Sequence, residues 1–132
     1  MRFLYVVFVD EDKMSALHRS EAQALDDASV DHDHALRKAG HLIAAQALEP
    51  VRLAATVRVR KGKKLITDGP FAETKEQVGG FLLIEAHDRD EAIQLASEVP
   101  VAAYGSIEVR PVHELVHSSG RDVGFPVQPS SE

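Results

Sequence analysis

The first hydrophobic segment of the chain, residues 3–9, is a run of β-branched and aromatic residues with polar residues on both sides. Because its apolar residues are continuous, the pattern predicts a central strand covered on both faces. The acidic stretch at residues 10–13 is interpreted as a solvated loop. A helix is predicted next, from Ser15 or Ser20 to Lys38, with Gly40 as its C-cap. One face of this helix is largely apolar at helical spacing, and it comprises Leu25, Ala28, Ser29, His32, Ala35, Leu36 and Ala39.

The middle of the chain has the alternation that is typical of strands. Residues 41–47 are predicted to form a strand, and Pro50 interrupts the pattern after it. Residues 56–60 then alternate with period two, and residues 64–67 return after a Lys-Gly-Lys turn. These two segments predict a hairpin with one basic face.

The last third of the chain predicts a strand, a helix and a strand. Residues 80–86 are predicted to be a buried strand, and Gly79 and Gly80 predict a bulge or a close backbone approach at its start. A helix is expected to begin at Asp88 as N-cap and to end before Pro100. Residues 105–112 form the final predicted strand. The residues of this helix expected to face inward are Ala92, Ile93, Leu95, Ala96 and Val99.

The order of elements is β-α-β, hairpin, β-α-β. It predicts an α+β, ferredoxin-like split βαβ fold with an inserted β-hairpin. Residues 1–116 are assigned to this domain, and residues 117–132, rich in Ser, Gly and Pro, to a flexible tail. Because two helices can cover only one face of such a sheet, we expect a homodimer that covers the other face.

Composition narrows the class of protein. The chain has 132 residues, 44% hydrophobic and 27% charged, which fits one globular domain. It contains no cysteine, so it has neither disulfides nor a thiolate site. A net charge of −6 argues against broad nucleic-acid binding, which needs a basic surface. The only apolar run near the N-terminus is too short to cross a membrane. We expect a cytoplasmic protein with no membrane partner, no cofactor and no bound metal.

The stretch between the hairpin and the next strand has dense turn chemistry. Gly69 can adopt positive φ, and Pro70 keeps it out of the helical region. The Asp68 carboxylate is expected to accept local backbone N–H groups, that of Phe71 being the nearest past the proline. Phe71 is expected to anchor this loop in the core.

The same stretch carries a specific family resemblance. The sequence DGPFAETKE at residues 68–76, followed by Gly-Gly-Phe at residues 79–81, resembles the signature of the DGPF family within the YCII-related (YciI-like) superfamily. The resemblance extends over about residues 2–114. It implies a dimeric α/β-barrel assembly of ferredoxin-like domains and a mostly uncharacterised activity. Genes of such proteins often lie near those of extracytoplasmic-function sigma factors, which implies a link to transcription.

The resemblance also implies a candidate site. The superfamily has been proposed to use a histidine–aspartate pair between helix and sheet. In this sequence the corresponding positions are Ser29 and Val99, so the pair is absent. His32, one turn after Ser29, matches a histidine found in part of the DGPF branch.

Each candidate residue has a structural and a functional interpretation. His32 is either a satisfied core histidine or a general acid/base, and Asp68 either braces its loop or partners His32. Lys75 either pairs with a neighbouring acid or holds a ligand carboxylate or phosphate. The predicted ligand-binding residues are Asp68, Gly69, Pro70, Phe71, Lys75 and Ser29.

Two functions remain at this point. The first is a small homodimeric domain that binds a small-molecule ligand as an accessory protein, with the link to sigma-factor regulation that the resemblance implies. The alternative is a cofactor-free enzyme acting on a small organic substrate, with His32 as acid/base and Asp68 orienting it. The helix–sheet cleft is the expected location of the site.

Overall fold

The computed structural model describes residues 1–122. The elements, in chain order, are β1 (Arg2–Val9), α1 (Glu11–Ser15), α2 (Arg19–Lys38), β2 (Leu42–Ala47), a 3₁₀ turn (Val51–Leu53), β3 (Ala55–Arg60), β4 (Lys63–Asp68), β5 (Gln77–Glu85), α3 (Arg89–Ser97), a second 3₁₀ turn (Pro100–Ala103) and β6 (Ser106–Pro111). Within the described residues, β2, β5, β1 and β6 form an antiparallel sheet in that order. Strands β3 and β4 form a separate hairpin. This is the expected α+β, ferredoxin-like arrangement with a hairpin inserted between β2 and β5.

Strand β1 lies at the centre of the sheet and alternates in burial. Its inward residues form the core with Leu36 of α2 and with Ala92 and Ala96 of α3. The outward residues Leu4, Val6 and Phe8 are only half-buried. The pattern therefore placed the strand correctly, but within this chain only one of its faces is fully covered. The buried residues of β1 are Phe3, Tyr5, Val7 and Val9.

The uncovered side of the sheet has an apolar strip on β1 and β5, beside the polar residues Ser106, Glu108 and Arg110 of β6. Leu4 pairs with Leu83 and Val6 pairs with Phe81, so these side chains share a face. Leu83 is buried within the described chain, whereas Phe81, like Leu4 and Val6, is half-buried. We call Leu4, Val6, Phe8 and Phe81 the open sheet face.

None of the described helices is long and apolar enough to cross a membrane.

Helix α2 faces β2 and the second 3₁₀ turn through a narrower stripe than predicted. Leu36 is buried, and Leu25, Ser29 and His32 are half-buried, as expected. In contrast, the predicted inward residues Ala28, Ala35 and Ala39 are exposed, because they lie on the flanks of the stripe. The helix ends at Lys38 as predicted, but its C-cap is Ala39, and Gly40 (φ 86°) is the left-handed residue that follows the cap. The N–H of His41 donates to the Leu36 carbonyl at 2.9 Å.

The predicted loop at residues 10–13 is wrong, because this stretch begins helix α1. Asp10 is the N-cap, and its carboxylate accepts hydrogen bonds from the N–H groups of Asp12 (3.1 Å) and Lys13 (3.3 Å). Glu11 and Asp12 then lie in the first turn, where acidic side chains favour a helix N-terminus.

The glycine pair at the start of β5 has the close contacts that the sequence predicts. The β1–β5 register shifts between Val7 and Phe8, opposite Gly79. A Cβ on Gly80 would lie 2.8 Å from the backbone oxygen of Gln46, and one on Gly79 would lie 2.8 Å from the Val9 Cγ2 methyl. The pair therefore combines a bulge with a close approach to β2.

Helix α3 begins at the predicted cap. The Asp88 carboxylate accepts the Glu91 N–H at 2.9 Å, and this bond is the main cause of the lowered pKa of Asp88. Glu91 reaches back to the N–H of His87, one residue earlier than a standard capping box. Of the predicted inward residues, Ile93 is wrong: it is 40% exposed.

Residues 117–122 close a short turn, in which His117 N–H donates to the Arg121 carbonyl and Val116 bridges to Asp122. The rest of the predicted tail, residues 123–132, lies outside the described residues.

Candidate functional site

The loop that follows β4, residues 69–76, is held at its first residue by backbone contacts to the start of the hairpin. Gly69 has φ 102°, as its position in the turn predicts. Its N–H donates to the Ala54 carbonyl at 2.7 Å, and its carbonyl accepts the Thr56 hydroxyl at 3.0 Å. The two roots of the hairpin are therefore tied together where the loop begins.

The later part of the loop is fixed by polar side chains. The Gln77 amide donates to the carbonyls of Ala72 (2.8 Å) and Thr74 (3.1 Å), and the Thr74 hydroxyl donates to the Glu76 carbonyl at 2.6 Å. These bonds fold the loop back on its own backbone, so it keeps a defined shape with little apolar burial.

The structural roles predicted for Phe71 and Asp68 are wrong. Phe71 is 72% exposed, and its ring lies against the Arg58 guanidinium, 5.0 Å from the ring centroid, in a cation–π contact. The hairpin does not join the main sheet, so the loop that it carries does not reach the core. Among residues 1–122 the Asp68 carboxylate has no hydrogen bond from the Phe71 N–H, and the backbone of Gly69 closes the turn instead.

A shallow cavity of about 430 Å³, open to solvent on one side, lies between this loop, the N-terminus of α1 and the first 3₁₀ turn. Its volume is within the range of small-molecule sites. Glu11 connects two of its walls, because its carboxylate accepts the Val51 N–H at 3.0 Å. The lining residues are Asp10, Glu11, Asp12, Val51, Arg52, Gly69, Pro70, Glu73, Thr74, Lys75 and Gln77. We call this space the motif-loop cavity.

The lining of the motif-loop cavity carries charges of both signs. Arg52 and Lys75 supply two cations, and no salt bridge to either is formed within residues 1–122. Asp10 is buried and already bonded to backbone N–H groups. In the described part of the chain, no group of three or more His, Asp or Glu side chains is placed to hold a metal ion. The arrangement suits a polar organic molecule with both hydrogen-bond donors and an anionic group.

The other candidate residues lie on helix α2, outside the motif-loop cavity. Ser29 and His32 lie on the half-buried stripe of α2. The Nδ1 atom of His32 is buried and has no hydrogen-bond partner among the described residues. Burial raises the pKa of the adjacent Asp33 carboxyl, against the opposing effects of the neighbouring histidines and Arg37. A shielded imidazole nitrogen without a partner is chemically available to a ligand.

The structure divides the predicted site residues into two groups. Gly69, Pro70 and Lys75 line the motif-loop cavity. Asp68 and Phe71 are their neighbours in sequence but do not line it. Ser29 and His32 lie on α2. Within residues 1–122 no hydrogen bond or salt bridge joins His32 to Asp68, and Val99 is buried.

Sequence reasoning missed the opposite wall of the cavity. Asp10, Glu11 and Asp12 had a detectable signal, an aspartate N-cap followed by acidic residues. Arg52 had none, because its approach to the loop depends on the 3₁₀ turn after Pro50.

Comparison with known proteins agrees with the fold and identifies the family. The chain is 37% identical over 116 residues to an uncharacterised protein of Rhizobium meliloti (strain 1021). This alignment covers 85% of this chain and 92% of that protein. The fold of this chain is similar to that of 5-chloro-2-hydroxyhydroquinone dehydrochlorinase (TftG) from Burkholderia phenoliruptrix AC1100, which was solved in complex with 2,5-dihydroxybenzoquinone. That likeness has a TM-score of 0.51 and 18% identity, and it covers 92% of this chain and all of that one. The family model of the YCII-related domain matches residues 1–116, and the chain therefore belongs to the YCII-related family.

Proposed function

We propose that this chain is a homodimeric small-molecule-binding domain that acts as an accessory protein, with its ligand in the motif-loop cavity. The observation that carries the proposal is the lining of that cavity. Three residues predicted from the family motif to bind ligand, Gly69, Pro70 and Lys75, form one wall of a space of about 430 Å³. A pocket of this size accommodates a small organic molecule.

The lining of the cavity carries four carboxylates and two cations, so an anionic group of a ligand has to lie next to the cations. Lys75 and Arg52 attract an anionic group, since both are without an acidic partner in the described chain. Glu73 and Asp12 offer acceptors for hydroxyl or amine hydrogens. The proposed ligand is a small polar molecule with a carboxylate or phosphate at one end and hydrogen-bond donors at the other.

The homodimer in this proposal is supported by the open sheet face. Leu4, Val6, Phe8 and Phe81 are half-buried on a side that no described helix covers. A second copy would remove this apolar surface from water. The implied role beside a sigma factor belongs to the same proposal, and a net charge of −6 favours a protein partner over DNA for such a role.

We expect native mass spectrometry of gently purified protein to show a dimer carrying a small co-purified mass. Lys75→Met should lower its occupancy about tenfold, because a hydrogen bond to a charged group contributes about 1.5–3 kcal/mol. Lys38→Met is the matched control, since Lys38 is exposed at the end of α2 and does not line the cavity. The proposal is rejected if Lys75→Met and Lys38→Met carry equal amounts of ligand.

The alternative function is a cofactor-free enzyme with His32 as acid/base, and the unpartnered, buried Nδ1 of His32 favours it. A substrate in the helix–sheet cleft would supply the missing hydrogen bond. Asp68 is the orienting acid in this alternative, so it requires a rearrangement that brings the loop to α2.

The fold neighbour was solved with 2,5-dihydroxybenzoquinone bound, and this molecule is a suitable first probe for the alternative. If the enzyme interpretation is correct, adding it should shift the ¹⁵N resonances of the His32 imidazole, and His32→Gln should weaken binding about tenfold. His34→Gln is the control, because His34 is exposed on the same helix. A shift at His34 equal to that at His32 would indicate nonspecific binding and count against the enzyme.

A further inference from the structure

The β3–β4 hairpin, Ala55–Asp68, exposes an apolar face that the described chain leaves uncovered. We call this hairpin the arm. The β3–β4 register places Val57 opposite Ile66, with Val59 on the same face. These three side chains are 60%, 62% and 61% exposed, respectively. Isolated two-stranded hairpins are marginally stable in water, and contiguous exposed apolar surface marks an interaction site. The arm therefore has the surface of an element that packs against another molecule.

The charge of the arm indicates what that molecule is. The arm has five cationic residues and one acid, Asp68, for a net charge of +4. Because the whole chain has a net charge of −6, the rest of the chain carries −10. A second copy of this chain thus presents an acidic body to a basic arm, and complementary charges favour and steer such an encounter. Lys64 shares the apolar face, opposite Val59, and Lys61 lies in the turn, next to both faces. The other three cations, Arg58, Arg60 and Lys63, lie on the opposite face of the arm.

The second copy also offers an apolar surface of its own. The open sheet face, Leu4, Val6, Phe8 and Phe81, is uncovered by the helices of the described chain. In a twofold dimer each contact occurs twice, so one arrangement can bury both arms and both open faces.

The arm is held firmly enough at its base to make this contact. Its turn, Lys61 and Gly62, has φ of 51° and 74°, the geometry of a tight two-residue hairpin turn. At its root, Gly69 bonds to Ala54 and Thr56 on the opposite strand. Arg52 and Gly69, on either side of this root, both line the motif-loop cavity. A partner that fixes the arm would therefore also fix two walls of the cavity.

We propose that the arm clamps a second copy of this chain, with Val57, Val59 and Ile66 packed on the open sheet face of the other copy. The inference rests on the proposed homodimer and adds which segment makes it and where that segment docks. A nucleic acid is the other occupant that a basic hairpin could attract, and it is one of the outcomes tested below.

The first experiment is sedimentation velocity on the full chain across a concentration series. The double variant Val57→Ser/Ile66→Ser should raise the dimer Kd at least tenfold. Leu65→Ser is the matched control, because Leu65 lies on the opposite face of the same strand and is 52% exposed, and its Kd should stay within about twofold of the unmodified chain. If the double variant dimerises with an unchanged Kd, the proposed contact of the arm is wrong, whereas the homodimer itself is still supported. An unmodified chain that stays monomeric at about 100 μM overturns both.

The second experiment does not depend on a destabilising change. The chain has no cysteine, so Lys63→Cys gives one site for a spin label near the tip of the arm. Spin-labelled protein mixed with ¹⁵N-labelled protein should broaden the amide signals of Val6 and Phe81 between copies, and leave Val30, exposed on α2, unaffected. Absence of broadening at β1 and β5 overturns the proposal. So does a monomeric chain that binds a DNA duplex through the arm, with binding lost in Arg58→Glu/Arg60→Glu.

Discussion

Replacing Gly105 by alanine is expected to lower the free energy of unfolding by about 3 kcal/mol or more. A Cβ at this position would lie 2.1 Å from the backbone oxygen of Phe8 and 3.2 Å from the Val9 Cγ1 methyl. The nearest atom belongs to the backbone of the central strand, so no side-chain rotation can relieve the overlap. Strand β6 would have to move away from β1 at the point where Ser106 pairs with Phe8.

Gly79→Ala is the matched control for this substitution. It adds the same methyl group beside the same central strand, but its Cβ would lie 2.8 Å from the Val9 Cγ2 methyl, a side-chain atom, and not against a backbone oxygen. We expect urea denaturation followed by circular dichroism to show a much smaller loss of stability for Gly79→Ala than for Gly105→Ala. Equal losses would show that the local backbone at β6 is softer than its contacts indicate.

The elements of the main sheet could be predicted because local signals agree with tertiary packing there. The apolar run of β1, the end of α2 at Lys38 and the aspartate that caps α3 are all where the pattern predicts them. The errors at the three exposed alanines of α2 and at Ile93 of α3 have one cause. Helical spacing identifies a side of the helix, but the width of the buried stripe depends on what packs against it.

The loop after β4 shows where sequence reasoning failed. An aromatic residue after a turn is ordinarily buried, and Phe71 is not, because the hairpin that carries it stands apart from the main sheet. No local pattern distinguishes a hairpin that joins a sheet from one that does not. Only the charge of β3 and β4 and their high exposure, taken together, indicate a separate role.

The candidate site was only half predictable for a related reason. Gly69, Pro70 and Lys75 belong to one short motif, whereas Asp10 and Arg52 come from separate parts of the chain. The cavity forms because Glu11 binds the N–H of Val51 and Gly69 binds Ala54. These contacts between distant segments have no signal in the periodicity of either one.

The buried phenol of Tyr5 gives the second large effect. Its side chain is fully buried, and its hydroxyl donates to the Ala92 carbonyl in α3. Burial, together with the negative charges of Glu91 and Glu98, raises the pKa of Tyr5 from 10.0 to about 12. In the unfolded chain the phenol has its ordinary pKa, so between these values the folded protein keeps a proton that the unfolded chain has lost.

The neutral phenol therefore stabilises the fold fully below pH 10, and this contribution is lost as the pH rises through about 12. Two pKa units correspond to about 2.7 kcal/mol, and solvent screening of the glutamates lowers the expected loss to about 1–2 kcal/mol. Tyr5→Phe should cost about 1 kcal/mol at pH 7, through the missing hydrogen bond to Ala92.

Urea denaturation of both proteins at pH 7, 9, 10 and 11 separates the two contributions. The stability gap between the original chain and Tyr5→Phe should be constant up to pH 9 and then narrow or reverse, because the phenylalanine variant has no proton to lose at this position. Lysines also titrate in this range, but they are common to both proteins and leave the gap unchanged. A gap that stays constant to pH 11 would mean that the Tyr5 hydroxyl ionises equally easily in the folded and unfolded chain, contrary to its burial beneath α3.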